Sequence, residues 1–161
     1  MNTHPSFLYG TAWKEDRTAT LVQQAIAAGF RGIDTANQRR HYFEAAVGEA
    51  LKAVWADGEL RRDDFFLQTK WTHRRGQDHR LPYDEHADFA TQVTQSFQSS
   101  LEHLGTDTID SYVLHGPMGR EGLAEGDWEV WRAMEALHDS GAVKALGASN
   151  MSATHLRELL D

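Results

Sequence analysis

Gly29-Phe30-Arg31-Gly32-Ile33-Asp34-Thr35-Ala36-Asn37-Gln38-Arg39-Arg40-His41-Tyr42-Phe43-Glu44-Ala45-Ala46-Val47-Gly48-Glu49-Ala50-Leu51, residues 29–51, is the stretch that decides the architecture. It leaves a glycine, runs through a short β-rich segment from Phe30 to Asp34, crosses a polar loop, and enters a segment where Val47, Ala50, Leu51 and Val54 recur at helical spacing. A strand followed by a helix with one apolar face is a β/α unit. The apolar stripe has to be buried against the sheet that the strand joins.

The same unit repeats outward in both directions. Upstream, Phe7 to Ala12 reads as a strand and Thr18 to Ala28 as a helix with Leu21, Val22, Ala25 and Ile26 on one face, ended by Gly29. Downstream, the second helix stops near Asp57-Gly58 and Phe65 to Lys70 is a third strand. A long loop from Trp71 to about His86 leads into a helix through Val93, Phe97, Leu101 and Leu104 that Gly105 terminates. Ile109 to Leu114 is a fourth strand, about Trp128 to Ser140 a fourth helix closed by Gly141, and Val143 to Ala148 a fifth strand. Ser152 then stands as the N-cap of a last helix.

Strands alternating with helices specify a parallel sheet with helical crossovers. The expected fold class is α/β of the (β/α)8 TIM-barrel type, with only about five β/α units present, an incomplete barrel. No linker or composition break divides the chain, so residues 1–161 read as a single partial-barrel domain ending within the fifth helix.

Composition narrows the function. With 24 acidic against 16 basic residues the net charge is −8, the wrong sign for a nucleic-acid backbone or an anionic membrane surface. There is no cysteine, hence no disulfide framework or thiolate metal site. The N-terminal residues lack the pattern of a secretion signal, and no apolar run is long enough to cross a bilayer. A cytoplasmic protein with neither a nucleic-acid nor a membrane partner is expected.

In parallel β/α folds the functional groups gather at the C-terminal ends of the strands. Four consecutive strands here lead into polar groups: Asp34, Lys70, His115 and the pair Ser149-Asn150. Singly, each has an ordinary explanation, since a strand-end Asp caps turns and a Lys reaches for water. Together on one rim, with Tyr42 in the loop after the second strand, Asp34, Lys70 and His115 suit proton transfer to a carbonyl oxygen. Lys70 near Tyr42 is expected to lower the phenol's pKa, Asp34 to hold Lys70 charged, and His115 to hydrogen-bond the substrate oxygen.

The strings GFRGIDTANQRRHYFEAAVGEAL, FFLQTKW, SLEHLGTDTIDSYVLHGP and GAVKALGASNMS, in this order, resemble the aldo-keto reductase family over essentially the whole chain. The resemblance implies an NADP(H)-dependent oxidoreductase that moves a hydride between nicotinamide and a small carbonyl substrate. It maps a catalytic tetrad onto Asp34, Tyr42, Lys70 and His115. It also assigns Ser149 and Asn150 to the nicotinamide carboxamide, Gly10, Thr11 and Ala12 with Asp34 to the cofactor's nicotinamide end, and Trp13 and Trp71 to the substrate pocket. Core packing is the ordinary alternative for both tryptophans.

The sequence departs from the family's pattern in places. The loop from Asp34 to Tyr42 is longer than the common form, so either Tyr42 or His41 fills the tyrosine slot, with Tyr42 preferred because a phenol beside a lysine supplies the acid. Phe43 stands where the family usually has Asn. The insertion from Thr72 to Asp88 contains His73, His79 and His86 among acidic residues, but their irregular spacing points to a solvated specificity loop and no metal. The arginine pairs at 39–40, 61–62 and 74–75 read as solvated surface.

The family's strands six to eight, with the loops that anchor the rest of the cofactor, have no counterpart here. Five strands cannot close a barrel of eight. Open edges at the first and fifth strands and an uncovered apolar interior are therefore expected, which implies either a fragment of a longer chain or assembly with another copy that covers those edges, and weak NADP(H) binding by a single copy. Two readings from other classes stand beside the reductase: a non-catalytic half-barrel interaction module, and a hydrolase using Asp34 and His115, which leaves Lys70 and Tyr42 without a role.

Overall fold

The structure, a computed structural model, describes residues 4–161. Its five strands are β1 (Leu8–Gly10), β2 (Gly32–Asp34), β3 (Phe66–Trp71), β4 (Ser111–Leu114) and β5 (Leu146–Ala148). They lie in sequence order and every neighbouring pair is parallel. Each strand is followed by a helix: α1 (Thr18–Ala27), α2 (Glu44–Ala56), α3 (Phe89–Leu104), α4 (Glu125–Asp139) and α5 (Ala153–Leu160). This is an α/β fold of the barrel type, a consecutive run of β/α units that has not closed.

Most strands are shorter than the sequence reading by one to three residues at an end, although Ile109 and Val143 still meet as an isolated parallel bridge. Helix α4 begins at Glu125 rather than Trp128, because the Asp127 carboxylate accepts the Ala124 N–H at 2.9 Å and so satisfies a donor of the first turn. The caps expected elsewhere are present. Gly105 takes φ +64° after α3, and Ser152 Oγ accepts the His155 N–H at 3.2 Å to start α5.

Strand alternation sorts the side chains into two layers. Ile33, Leu67, Trp71, Tyr112 and Leu114 point outward and are buried against Val22, Val47, Leu51, Phe97 and Met134 of the helices. Helices α2 and α3 approach closely at Gly48, where a Cβ would stand 1.7 Å from the His103 carbonyl oxygen. Gly48→Ala therefore forces the two backbones apart. It is expected to cost about 1–3 kcal/mol, seen as a lower urea midpoint at unchanged m-value.

The inner layer meets the expected apolar interior only in part. Leu8, Val113 and Ala148 line a concave cavity of about 460 Å³ on this face together with Asp34, Gln68, Lys70 and Ser149 and with Gly10 and Gly147, so the interior of the open barrel is mixed in character. Most of the large apolar side chains lie in the outer layer, where every strand meets a helix. The edges at β1 and β5 are open as expected, and Phe7 just before β1 and Leu8 at its start are exposed. Among the described residues no helix is long and apolar enough to cross a membrane.

The N-terminal ends of β3, β4 and β5 are tied by a buried charge cluster. Asp110 accepts from Arg62 at 2.6 Å, Lys144 at 2.8 Å and the Leu67 N–H at 2.9 Å. Arg62 is thus not the solvated surface residue expected from its place in an arginine pair. Its guanidinium also holds the Phe65 and Thr108 carbonyls.

Candidate active site

At the other end of the sheet, alternation brings Asp34 of β2 and Lys70 of β3 to the inner face. Lys70 Nζ donates to Asp34 Oδ1 at 2.6 Å and to the Thr35 carbonyl at 2.8 Å. Burial pulls the ammonium below its ordinary pKa, and the contact with Asp34 opposes that. Gln68, also inward-facing and two residues before Lys70, donates to the same Asp34 oxygen at 2.7 Å. Sequence reading passed over Gln68, although strict alternation from Lys70 marks it.

Tyr42 is the member of the 41–42 pair that reaches this ion pair. Lys70 Nζ sits 5.0 Å from its ring centroid, and the His115 ring packs edge-on at 5.8 Å. His41 instead packs, tilted, on Trp13 at 4.0 Å and lines a cleft beside His115. The expected fall in the Tyr42 pKa is not what the surroundings impose: burial pushes it up and the Asp34 charge adds to this. The ammonium faces the ring rather than the hydroxyl, and its hydrogen bonds go to Asp34 and Thr35, so it offers the phenolate little.

His115 follows β4, and burial, with Lys70 nearby, lowers its pKa to about 4, so the imidazole is neutral at neutral pH. Its Nδ1 lies 2.8 Å from Thr72 Oγ1. When the hydroxyl donates to Nδ1 the ring proton sits on Nε2, the nitrogen free to donate to a substrate oxygen. Thr72→Val removes that hydroxyl, and nitrogen NMR of the imidazole is expected to show the Nδ1–H tautomer gaining population. An unchanged tautomer ratio would remove Thr72 from this positioning role.

The two tryptophans part company. Trp13, left-handed at φ 61° and two-thirds exposed, stands at the rim against His41. Trp71 is fully buried, with His73, Tyr83 and Phe89 around its ring. It therefore packs in the core and walls no open pocket. Lys70 faces inward, so its neighbour on the strand must face outward.

Of the residues assigned to a cofactor, Gly10 lines the inner cavity, with no atom within 4 Å of where a Cβ would stand. Thr11 is fully buried, and its hydroxyl and N–H both bond the Asp34 carbonyl, at 2.9 and 3.0 Å. It holds β2's end in place rather than presenting a free hydroxyl, and Ala12 follows it on the same connection. Ser149 lines the same cavity as Gly10. Asn150 adopts a left-handed φ of 55° and donates to the His115 carbonyl at 2.6 Å, which links the ends of β4 and β5.

The loop after β3 is anchored, not simply solvated as expected. Tyr83 Oη donates to the Thr72 carbonyl at 2.8 Å, Gln77 to the Asn37 carbonyl at 2.9 Å, and Gln38 to the Gly76 carbonyl at 2.8 Å. Buried His73 is bonded to Asp127 at 3.0 Å and has a pKa lowered to about 4, chiefly by burial. Asp127 also accepts the Met118, Gly119 and Ala124 N–H groups. This fixes the loop after β4 to the loop after β3, a pairing 54 residues apart that local sequence patterns do not reveal.

The family model for the aldo/keto reductase family matches residues 6–161. The chain is 35% identical over 141 residues to the oxidoreductase YtbE of Bacillus subtilis, an alignment covering 86% of this chain and 43% of that protein. It is 31% identical over 147 residues to methylglyoxal reductase DkgA of Escherichia coli, covering 91% and 45% respectively. Among solved structures it resembles an aldo-keto reductase of Bombyx mori in complex with NADP, with TM-score 0.77, 27% identity, and coverage of 99% of this chain and 51% of that one. An aldo/keto reductase of Brucella melitensis matches with TM-score 0.73 and 31% identity, covering 97% and 53%. The chain thus spans less than half the length of these curated relatives and about half that of these structures.

Proposed function

Because the chain belongs to the aldo/keto reductase family, we propose that it carries the catalytic half of an NADP(H)-dependent reductase converting an aldehyde or ketone to an alcohol. Residues 1–161 form one partial-barrel unit in this reading, with Asp34, Tyr42, Lys70 and His115 as its tetrad. The observation that carries it is the convergence of these four groups, from the ends of three successive strands and the loop after the first of them, around one ion pair of 2.6 Å.

The nicotinamide end of the cofactor fits what surrounds that pair. The inner cavity has a glycine floor at Gly10 and Gly147, and Ser149 beside it. Asn150 brings a carboxamide to the rim through its bond to the His115 carbonyl. Gly10, Thr11, Ala12, Asp34, Ser149 and Asn150 would hold this end, with Thr11 acting through Asp34. When bound, the cofactor supplies the hydride.

The chain's own residues manage the oxygen. His115, neutral, donates Nε2–H to the carbonyl oxygen and holds it beside the Tyr42 hydroxyl. Tyr42, kept protonated by burial, delivers its proton as negative charge develops on that oxygen. Lys70, held by Asp34, packs its ammonium over the Tyr42 ring and so orients the phenol toward the oxygen. Trp13 and His41 shield the rim.

Methylglyoxal reductase among the relatives supports small reactive carbonyl compounds as substrates. The test is incubation of the chain with NADPH and 4-nitrobenzaldehyde, following loss of cofactor absorbance. Turnover that requires the chain supports the reading. Binding of NADPH without turnover would favour a non-catalytic half-barrel module, in which the open β1 and β5 edges pair with a partner or a second copy.

A further inference from the structure

Beside the tetrad lies a second, larger cleft of about 570 Å³ between the loops that follow β3 and β4 and the start of α5. His115 and Asn150 are on its wall, so it opens directly onto the proposed site. In a chain of net charge −8, none of the residues lining it is a carboxylate. Two of them, Arg75 and Arg120, are arginines.

Neither arginine has an acidic partner among the described residues, a state shared with Arg17, Arg31, Arg40, Arg61 and Arg157, but these two alone lie together on one cleft wall. Arg75 is held over the cleft by donating to the Pro117 carbonyl at 2.7 Å, which leaves the rest of its guanidinium free. The nearest buried carboxylate, Asp127, is already saturated by His73 and three backbone N–H groups.

Behind these arginines the cleft wall is fixed by buried His155, whose Nδ1 accepts the Ser152 N–H at 3.1 Å and so ties the start of α5 in place.

We infer that this cleft binds an anionic group of the substrate, a carboxylate or phosphate carried at the far end of the carbonyl compound, with Arg75 and Arg120 as its donors. The inference rests on the reductase reading for the identity of the reacting end. The anion requirement rests on the cleft alone. Arginine forks match such oxyanions in shape and charge, and a cleft of one sign concentrates ligands of the other.

The test compares 4-carboxybenzaldehyde with its methyl ester, which present the same aldehyde and differ in charge. Equilibrium binding to the 161-residue chain is followed by NMR titration. The carboxylate is expected to bind about tenfold more tightly at low ionic strength, an advantage that added salt reduces. A variant combining Arg75→Ala with Arg120→Ala, both at exposed positions, is expected to lose the preference while keeping its circular dichroism spectrum.

Equal affinities for acid and ester, or a preference that survives the double substitution, overturn the inference. So does a matching loss of NADPH affinity in the variant, because the anion would then be the cofactor's phosphate. Absence of turnover on both aldehydes would remove the reductase reading and leave the anion site to be decided by the binding data.

Discussion

Tyr42→Phe is expected to lower the NADPH-dependent reduction of 4-nitrobenzaldehyde by a factor of about 10² to 10⁴, the usual contribution of a positioned general acid. The substitution keeps the ring, and with it the Lys70 contact at 5.0 Å and the edge-on packing against His115 at 5.8 Å. Only the hydroxyl, and with it the transferable proton, is removed. His41→Phe, which preserves the stack on Trp13, is expected to retain at least about a tenth of the rate, since that ring lies on the rim. The reverse outcome, with Tyr42→Phe active and His41→Phe inactive, would move the acid to His41. Because burial and Asp34 push the Tyr42 hydroxyl up, the acid stays protonated through the neutral range. The rate is therefore expected to show no alkaline fall below about pH 10, the ordinary value for a phenol.

Asp110→Ala should destabilise the chain by about 3 kcal/mol at pH 7, measured by urea unfolding. That is a large share of the roughly 5–15 kcal/mol that holds a domain folded. The substitution strands Arg62, bound at 2.6 Å and only 19% exposed, without its carboxylate, and releases the Leu67 N–H and Lys144 as well. The low end of the range for a broken buried pair applies, because the Lys144 side chain is 41% exposed and solvent takes over part of its charge. A cost below about 1 kcal/mol would mean that the cluster is an ordinary surface pair.

Acid should reveal two stability limbs of different origin. Burial raises the Asp110 pKa, but the Leu67 N–H, Lys144 and Arg62 outweigh it and hold the carboxyl below its ordinary value. The contribution of Asp110 is then complete above its unfolded pKa of about 3.9, and is lost only as pH falls through the lower folded value. His73 and His115 act earlier. Their folded values of about 4 lie below the ordinary 6.5, so the unfolded chain binds more protons and stability falls as pH drops from about 6.5 to about 4. His103, raised by Glu44, opposes this in part, since its contribution is present at low pH and lost as pH rises through its folded value. Equal stability at pH 7.5 and pH 5 would contradict the burial of His73 and His115.

Local sequence determined the five β/α units, their order and the strand ends at which Asp34, Lys70 and His115 sit. Apolar period, glycine stops and caps are short-range signals that act before any tertiary contact forms. Alternation also carried information that was not used: it places Gln68 with Lys70 and sends Trp71 to the core. The tertiary structure alone decided the rest. It turned Tyr42 rather than His41 toward Lys70, because the loop's register depends on where His41 stacks on Trp13. It raised the Tyr42 pKa where charge proximity suggested a fall, because the orientation of the ammonium and the depth of burial are set by packing. It joined His73 to Asp127 and Arg62 to Asp110, pairs separated by 54 and 48 residues. It also gathered Arg75, Arg120 and His155 around one cleft. Such groups meet only after helices have buried one face of the sheet, and nothing in their neighbouring residues records where that face will bring them.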